Sequence, residues 1–425
     1  MTAARRLRRV SLGRGFAALW SANAASNLAD GLAFVSMPLL AASLTDDPRL
    51  VAGLATTYAL VRLLVALPVG VYVDRLDRRT LMVVGNVLRG TVVVLLAVAV
   101  QVDAAGIALV YVAYALVGTL ESAADNAALS LLPSIVSPHD LDRANGRISA
   151  AQLVADEFAG PPLGGLLFAA AAAAPMYAMG GLWAAAGTIA LLLPVRGPRA
   201  TVPGHRSLPR EAREGARWLA GDRVVGGLAV IGALASVGYM LPFSILVLFA
   251  QDRLGVDGVG YGVILAVSAL GGLLGSLTAA RVRARRGYRW TVVASLLAGA
   301  GSLGVLSLTT NAFVAAALLA VYILHAVVWG VCVTSIRQRR VPDALRGRVN
   351  AASQVLGLLG IAVGSALGGV LATVDVALPV AVGGAVFLLC AVGAAIVLRH
   401  GDGDSDGSNH LSIDGRDRLS AAQAG

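Results

Sequence analysis

The run Asp156-Glu157-Phe158-Ala159-Gly160-Pro161-Pro162-Leu163-Gly164-Gly165 places two acids, two prolines and three glycines inside a segment otherwise apolar enough to cross a bilayer. Each proline lacks an amide hydrogen and crowds the carbonyl four residues back, here those of Glu157 and Phe158. A helix bend is predicted there, with freed carbonyls beside two carboxyl groups. The glycines admit a neighbouring helix at close range. Ionisable side chains at that depth normally face a bundle interior or a water-filled path. The stretch reads as a moving part of a helical membrane bundle.

The rest of the chain agrees. Hydrophobic residues make up 57% of it and charged residues 14%, against about 25% charged in an ordinary soluble domain. Uncharged runs recur from Phe16 to Leu398, each near the roughly twenty residues that span hydrocarbon as helix. Short alternating strands are absent, which argues against a membrane β-barrel. The predicted fold is an all-α membrane protein of twelve spans, near 16–43, 50–73, 80–101, 106–133, 146–170, 175–195, 224–250, 258–280, 289–310, 312–335, 349–373 and 376–398. These form two six-helix halves, 16–195 and 224–398, joined by a linker at 196–223. An arm at 1–15 precedes them and a polar tail at 399–425, predicted to be disordered, follows.

The net charge of +10 does not signal nucleic acid. All 34 basic residues are Arg, and 30 fall in one set of alternate loops and termini. Arg49 and Arg253 lie in the opposite set, while Arg62 and Arg89 lie inside segments. That is the positive-inside asymmetry of a polytopic membrane protein. Both termini are therefore expected in the cytoplasm, and the location expected is a bacterial inner membrane. In the linker, Ser207 to Leu219 suits a short surface helix with Arg210, Arg213 and Arg217 outward, and with Leu208, Trp218 and Leu219 toward the headgroups. Cys332 and Cys390 sit in apolar segments and suggest neither disulfide nor metal. Asp402, Asp404 and Asp406 imitate the start of a calcium loop, but Ile413 stands where the bidentate Glu is needed. No metal or cofactor is expected.

An internal repeat supports the two halves. Gly160-Pro161-Pro162-Leu163-Gly164-Gly165 recurs 204 residues later as Gly364-Ser365-Ala366-Leu367-Gly368-Gly369. At the same offset Pro138 and Leu141 match Pro342 and Leu345, and Arg143-Ala-Asn145 matches Arg348-Val-Asn350 with a slip of one. Repeats of this kind underlie transport by two halves rocking around a midplane site. On this reading the bend belongs to both halves.

On these features the chain resembles the major facilitator superfamily over essentially all of residues 16–398. Gly70-Val-Tyr-Val-Asp74-Arg75-Leu-Asp77-Arg78-Arg79 matches the family's loop signature between spans two and three, with Asp77 where Gly is usual. The resemblance implies that Gly70, Asp74, Arg75, Arg78 and Arg79 form a cytoplasmic latch, with Asp74 drawn to the positive end of span eleven near Val349. Gly160, Pro161, Gly164 and Gly165 resemble the family's span-five antiporter signature, which is associated with proton-driven exporters. The Arg of the drug-antiporter signature in span four is replaced by Tyr114. Ala29-Asp30-Gly31 and Arg217-Trp218-Leu219 look more like the branch of enterobactin and macrolide exporters.

Asp30, Arg62, Glu121, Asp125, Asp156 and Glu157 fall near the middle of their spans, all in the first half, while the second half offers His325 at similar depth. Each unpaired charge at the bilayer centre costs about 3 kcal/mol even on a lenient scale. Arg62 is expected to pair with Asp30 or with an acid of span four or five. Five carboxyls around one Arg do not all ionise comfortably, so the cluster is expected to hold a proton, with a cationic or polar part of the substrate as a second candidate occupant. Glu157 and Asp30 are the leading proton carriers. His325 is expected to be a hydrogen-bonded packing residue, and Tyr239, Phe243 and Trp329 either line a cavity or pack. Pro38, Pro68 and Pro242 are expected to kink their spans.

No G-x-x-x-x-G-K-[ST] run exists for ATP-driven transport, and no catalytic constellation for an intramembrane enzyme. The reading is a secondary transporter, a proton-coupled exporter of amphipathic molecules such as antibiotics or siderophore-like metabolites. Its partners are membrane lipid, protons and a small-molecule substrate, and a monomer is expected. The alternatives are a proton-coupled importer of a metabolite and a non-transporting receptor.

Overall fold

A computed structural model describes residues 12–194 and 208–399, excepting the side chains of 66–75, 208–212 and 344. The N-terminal arm, most of the linker with Ser207 and the Arg210 side chain, and the tail with its Asp residues lie outside the described residues. Every regular element among those described is a helix.

The first half begins with α1 (Gly13–Leu44), which runs through Pro38 without a break. It continues with α2 (Pro48–Arg75), α3 (Arg78–Gln101) and α4 (Ile107–Ile135). A 3-10 turn at Pro138–Asp140 leads into α5 (Leu141–Gln152), a π turn (Leu153–Ala159), α6 (Gly160–Ala170) and then α7 (Ala174–Ala190). After α8 (Leu208–Gly221) come α9 (Arg223–Phe243), the single turn α10 (Leu246–Leu248) and a second π turn at Phe249–Arg253. The remainder is α11 (Gly258–Leu306), α12 (Ala312–Arg340), α13 (Arg346–Ala372) and α14 (Leu378–Val397).

Nine of the described helices are long and apolar enough to cross a membrane. Helix α11 holds two of the passages, because Gly287 breaks it with φ +72°, a backbone region open to glycine. The composite α5–π–α6 and the 17-residue α7 complete twelve. This is the all-α arrangement of twelve spans expected from the sequence.

Capping side chains fix several helix starts. Asp222 accepts hydrogen bonds from the amides of Val224 and Val225 at 2.9 and 2.7 Å, and Asn311 does the same for Phe313 and Val314. Asp77, which replaces the usual Gly of the loop signature, caps α3 through the Thr80 amide at 2.8 Å. At the start of α2, the Arg49 guanidinium and amide both bond to Asp47, and these bonds hold its carboxyl below the usual carboxylate range.

The π turn is the prolines' signature. Pro161 and Pro162 cannot donate to carbonyls four back, and the helix widens directly upstream, with the Gly160 amide bonding to Ala155 O five residues earlier. The repeat-related α13 carries Ser365 in place of Pro161. Ser365 keeps its amide hydrogen, its Oγ donates to Ile361 O at 2.8 Å, and α13 runs from Arg346 to Ala372 with no π turn. At these repeat-related positions the distortion is thus confined to the first half rather than shared by both. What the halves do share is a 3-10 lead-in, at Pro138–Asp140 and at Asp343–Leu345. Pro242 stands one residue before the end of α9, so it terminates that helix rather than kinking its middle.

The described residues fall into two compact units. One comprises those up to Asp46, those within Leu60–Pro203, and Val256–Ala266; the other comprises Asp47–Ala59, those within Gly204–Gly255, and those from Val267. In the first, α3 packs on α4 and α7, and α1 packs on α6, α7 and the π turn. Its core at one end gathers Phe16, Leu19, Met82, Leu131 and Leu132. In the second, α13 and α14 pack on α9. Glycines set the α13–α9 spacing: a Cβ on Gly364 would lie 2.5 Å from Val237 O.

Helix α8 forms as expected and exposes Arg213 and Arg217, but its apolar side turns inward rather than toward headgroups. Leu219 is buried in a cluster with Val225, Val341 and Val349, and Trp218 packs against it. Gly215 lies against the Arg348 backbone, and Glu214 pairs with the Arg348 guanidinium at 3.0 Å. Protein surface covers those side chains, so no lipid is needed to bury them.

Candidate functional site

The midplane charges of the first half come together in the first compact unit, around a residue the sequence analysis left out of the cluster. Arg89 on α3 has no exposed side-chain surface. One end of its guanidinium pairs with Asp30 of α1, and Glu121 of α4 lies 3.7 Å from the same nitrogen. Its other terminal nitrogen donates to Ser26 Oγ at 3.2 Å, and Ser26 in turn donates to Asn86 Oδ1. The guanidinium carbon sits 4.2 Å from the centroid of the Trp183 ring on α7, a cation–π contact in a desolvated setting. Four helices thus fix one arginine.

Arg62 on α2 reaches Glu121 at 3.4 Å and keeps part of its side chain exposed. The expected pairing of Arg62 with an acid of span four is what the geometry gives. The partner of Asp30 is Arg89. The cluster therefore holds two arginines, not one, which lowers the repulsion among its acids. Asp125, one turn beyond Glu121, and Asp156 on the π turn lie within electrostatic reach of Glu121 and Asp30. Glu157 does not share that environment: it is exposed, with Asp156 as its neighbour in the cluster.

The π turn places Asp156 by backbone contact. Gly31 of α1 lies so close that a Cβ there would be 2.6 Å from Asp156 O, and one on Gly160 would be 2.5 Å from Gly31 Cα. In the same unit Gly165 lies against Gly258 at the start of α11, and Gly164 against Leu32 O at 3.0 Å. All three span-five glycines are contact points. The buried Arg89 carried a signal in the sequence: it is an Arg in the body of an apolar run, as Arg62 is.

The latch signature is described only in part. The side chains of Asp74 and Arg75 and the surroundings of Gly70 lie outside what is described. Arg78 donates to Ser130 O at 3.0 Å and so ties the start of α3 to α4, while Arg79 is half-buried.

In the second unit His325 is buried, but neither ring nitrogen has a hydrogen-bond partner among the described residues, contrary to the hydrogen-bonded role expected. It packs edge-on against Tyr322 and Phe387 at 4.9 and 4.8 Å. Tyr239 stacks on Phe243 at 4.4 Å, and both stack on Tyr322. Among the described residues no group of three His, Cys, Asp or Glu side chains is placed to hold a metal ion.

Nine helices among the described residues that are long and apolar enough to cross a membrane, with charge buried among those of the first half, define a polytopic membrane protein. The model of the Major Facilitator Superfamily matches residues 19–336 and 228–416, and the chain belongs to that family. It is a transporter and not an enzyme. The enterobactin exporter EntS of Shigella boydii serotype 4 (strain Sb227) is 26% identical over 360 residues, 83% of this chain and 84% of that one. Among solved structures, a bacterial homologue of the human lysosomal transporter Spinster, inward-facing and occupied, superposes with a TM-score of 0.73. It is 14% identical and is matched over 90% of this chain and 96% of its own. A bacterial homologue of the iron transporter ferroportin, inward-facing, gives 0.69 at 18% identity over 90% and 98%. These two likenesses concern the fold.

Proposed function

We propose that this chain is a proton-coupled exporter of amphipathic small molecules, siderophore-like metabolites or antibiotics. It works by alternating access in a bacterial inner membrane, with both termini cytoplasmic. The observation that carries the reading is the Asp30–Arg89–Glu121–Arg62 network inside apolar helices. A proton arriving on Asp30 removes an anion from Arg89, which has no exposed side-chain surface. The cation must then lean on the remaining acids, and that re-pairing supplies two arrangements for a proton gradient to bias. Asp30 is the acid paired directly with Arg89, so it carries the proton in this scheme. The exporter direction draws on the likeness to EntS and on the Gly160-Pro161 motif.

Everted vesicles energised by respiration test it. A panel of catecholate and macrolide compounds is added, and proton release from the lumen is followed together with compound uptake. The expected result is uptake of at least one compound, abolished by an uncoupler and by Asp30→Asn. Uptake of every compound no greater than in vesicles without the protein would overturn it.

A further inference from the structure

The second compact unit holds a cavity of about 170 Å³ between α9, α12 and α13. Its wall includes Ser236 of α9, Trp329, Val333 and Arg337 of α12, and Ser353 and Gly357 of α13. Trp329 and Arg337 are eight residues apart on one helix, about 12 Å along its axis. The cavity is therefore apolar and aromatic toward one end and cationic at the other.

Arg337 is the unusual wall residue. Arg346 and Arg348, nearby in the chain, are paired with Asp343 and Glu214 at 2.8 and 3.0 Å. Among the described residues the Arg337 guanidinium has no carboxylate or hydrogen-bond acceptor, although it is only half exposed. Ser236 and Ser353 return their hydroxyl protons to Gly232 O and Val349 O on their own helices, which leaves Arg337 as the charged donor of the wall. Space is available as well. A Cβ on Gly232 would meet nothing within 4 Å, and one on Gly357 would meet Ser236 Oγ at 3.8 Å. A guanidinium presents a planar fork of donors that matches an oxyanion and binds it more firmly than a point charge does.

We propose that this cavity is an anion subsite. It takes the carboxylate or phosphate group of an amphipathic ligand at Arg337 and that ligand's flat apolar body against Trp329. The 204-residue offset of the repeat sets Trp329 at the position of Asp125 and His325 at that of Glu121. The two halves have thus diverged at equivalent places, one to acids and the other to an aromatic and cationic wall. The ligand's role as cargo rests on the exporter reading; its binding does not. An oxyanion reaches such a wall either on a free solute or on a lipid headgroup.

The test is equilibrium binding to the full-length protein in phosphatidylcholine discs, with radiolabelled 2-naphthoate and its neutral counterpart 2-naphthamide as probes. Arg337→Gln is expected to weaken naphthoate at least tenfold and naphthamide less than twofold, with Arg337→Lys in between. Gly357→Leu, which fills the cavity from a position with room for it, is expected to remove both. Asp30→Asn is expected to leave naphthoate binding within twofold, so a failure of proton coupling and a failure of this site are told apart. Displacement of naphthoate by phosphatidylglycerol added to the discs assigns the site to a headgroup. Indifference to that lipid assigns it to a free solute, and either result retains the anion subsite. Absence of naphthoate binding, or equal affinity in the folded Arg337→Gln protein, overturns it.

Discussion

Arg89 is completely buried, whereas the Asp30 carboxylate it pairs with keeps 19% of its side chain exposed. The proposed coupling makes use of that asymmetry. The cation is locked by Ser26, Trp183 and two acids on separate helices, and the acid is the member that keeps some accessible surface. A proton would enter this pair through Asp30, and Arg89 would report its arrival to α3, α4 and α7.

Removing the locked member should cost most. Arg89→Leu strips the counter-charge from Asp30 and Glu121 and the ring contact from Trp183. Loss of one partner of a buried pair costs about 3–5 kcal/mol. Purified Arg89→Leu protein is therefore expected to unfold well below the wild type in a detergent melting experiment. Arg89→Lys should fall between, because an ammonium lacks the flat fork that serves Ser26 and Asp30 at once. Arg62→Gln, whose contact with Glu121 is long and partly exposed, should cost less than about 1 kcal/mol.

Asp30→Asn separates stability from coupling. The amide keeps the shape and can still accept from Arg89, and Glu121 remains at 3.7 Å to offset the charge. Melting is expected within a few degrees of the wild type, while compound uptake driven by a pH gradient falls at least tenfold. Measuring both on one preparation checks this, and normal gradient-driven uptake would remove Asp30 from the coupling chain.

The acids of the π turn should rank in the order of their placement. Asp156 lies within electrostatic reach of Glu121 and Asp125, and Glu157 is exposed beside it. Asp156→Asn is expected to depress proton-coupled uptake more than Glu157→Gln, as measured in the everted vesicles. The reverse order would return Glu157 to the leading role that the sequence suggested.

The fold was legible because its signals are cumulative: apolar runs, loop arginines and the Gly160/Gly364 repeat all count over many residues. The place of the π turn was legible too, since proline chemistry acts four residues upstream of itself. Its absence from α13 followed from two amide hydrogens, those of Ser365 and Ala366, which stand where Pro161 and Pro162 do in the repeat frame. The partner of Asp30 was not legible. Arg62 and Arg89 look alike in sequence, and only the packing of α1, α3, α4 and α7 decides which one meets it. The cavity at Arg337 escaped for the same reason: in a run of arginines at a helix end, nothing in one dimension marks the residue that turns inward.

Glycine substitutions test whether the π turn depends on backbone contact. Gly160 and Gly31 touch so closely that a Cβ on Gly160 would sit 2.5 Å from Gly31 Cα, and one on Gly31 would sit 2.6 Å from Asp156 O. The obstructing atoms are backbone on both sides, so neither can yield by changing a rotamer. Overpacking of this kind typically costs about 1–3 kcal/mol. Gly181 is a control from the same unit, because a Cβ there meets nothing within 4 Å, and alanine favours a helix over glycine by about 1 kcal/mol. Gly160→Ala and Gly31→Ala are expected to lower the melting temperature and impair uptake, while Gly181→Ala leaves both unchanged or slightly raised. Should Gly160→Ala melt and transport as the wild type does, α1 and the π turn would have to be free to separate. Asp156 would then be positioned by something other than the Gly31–Gly160 contact.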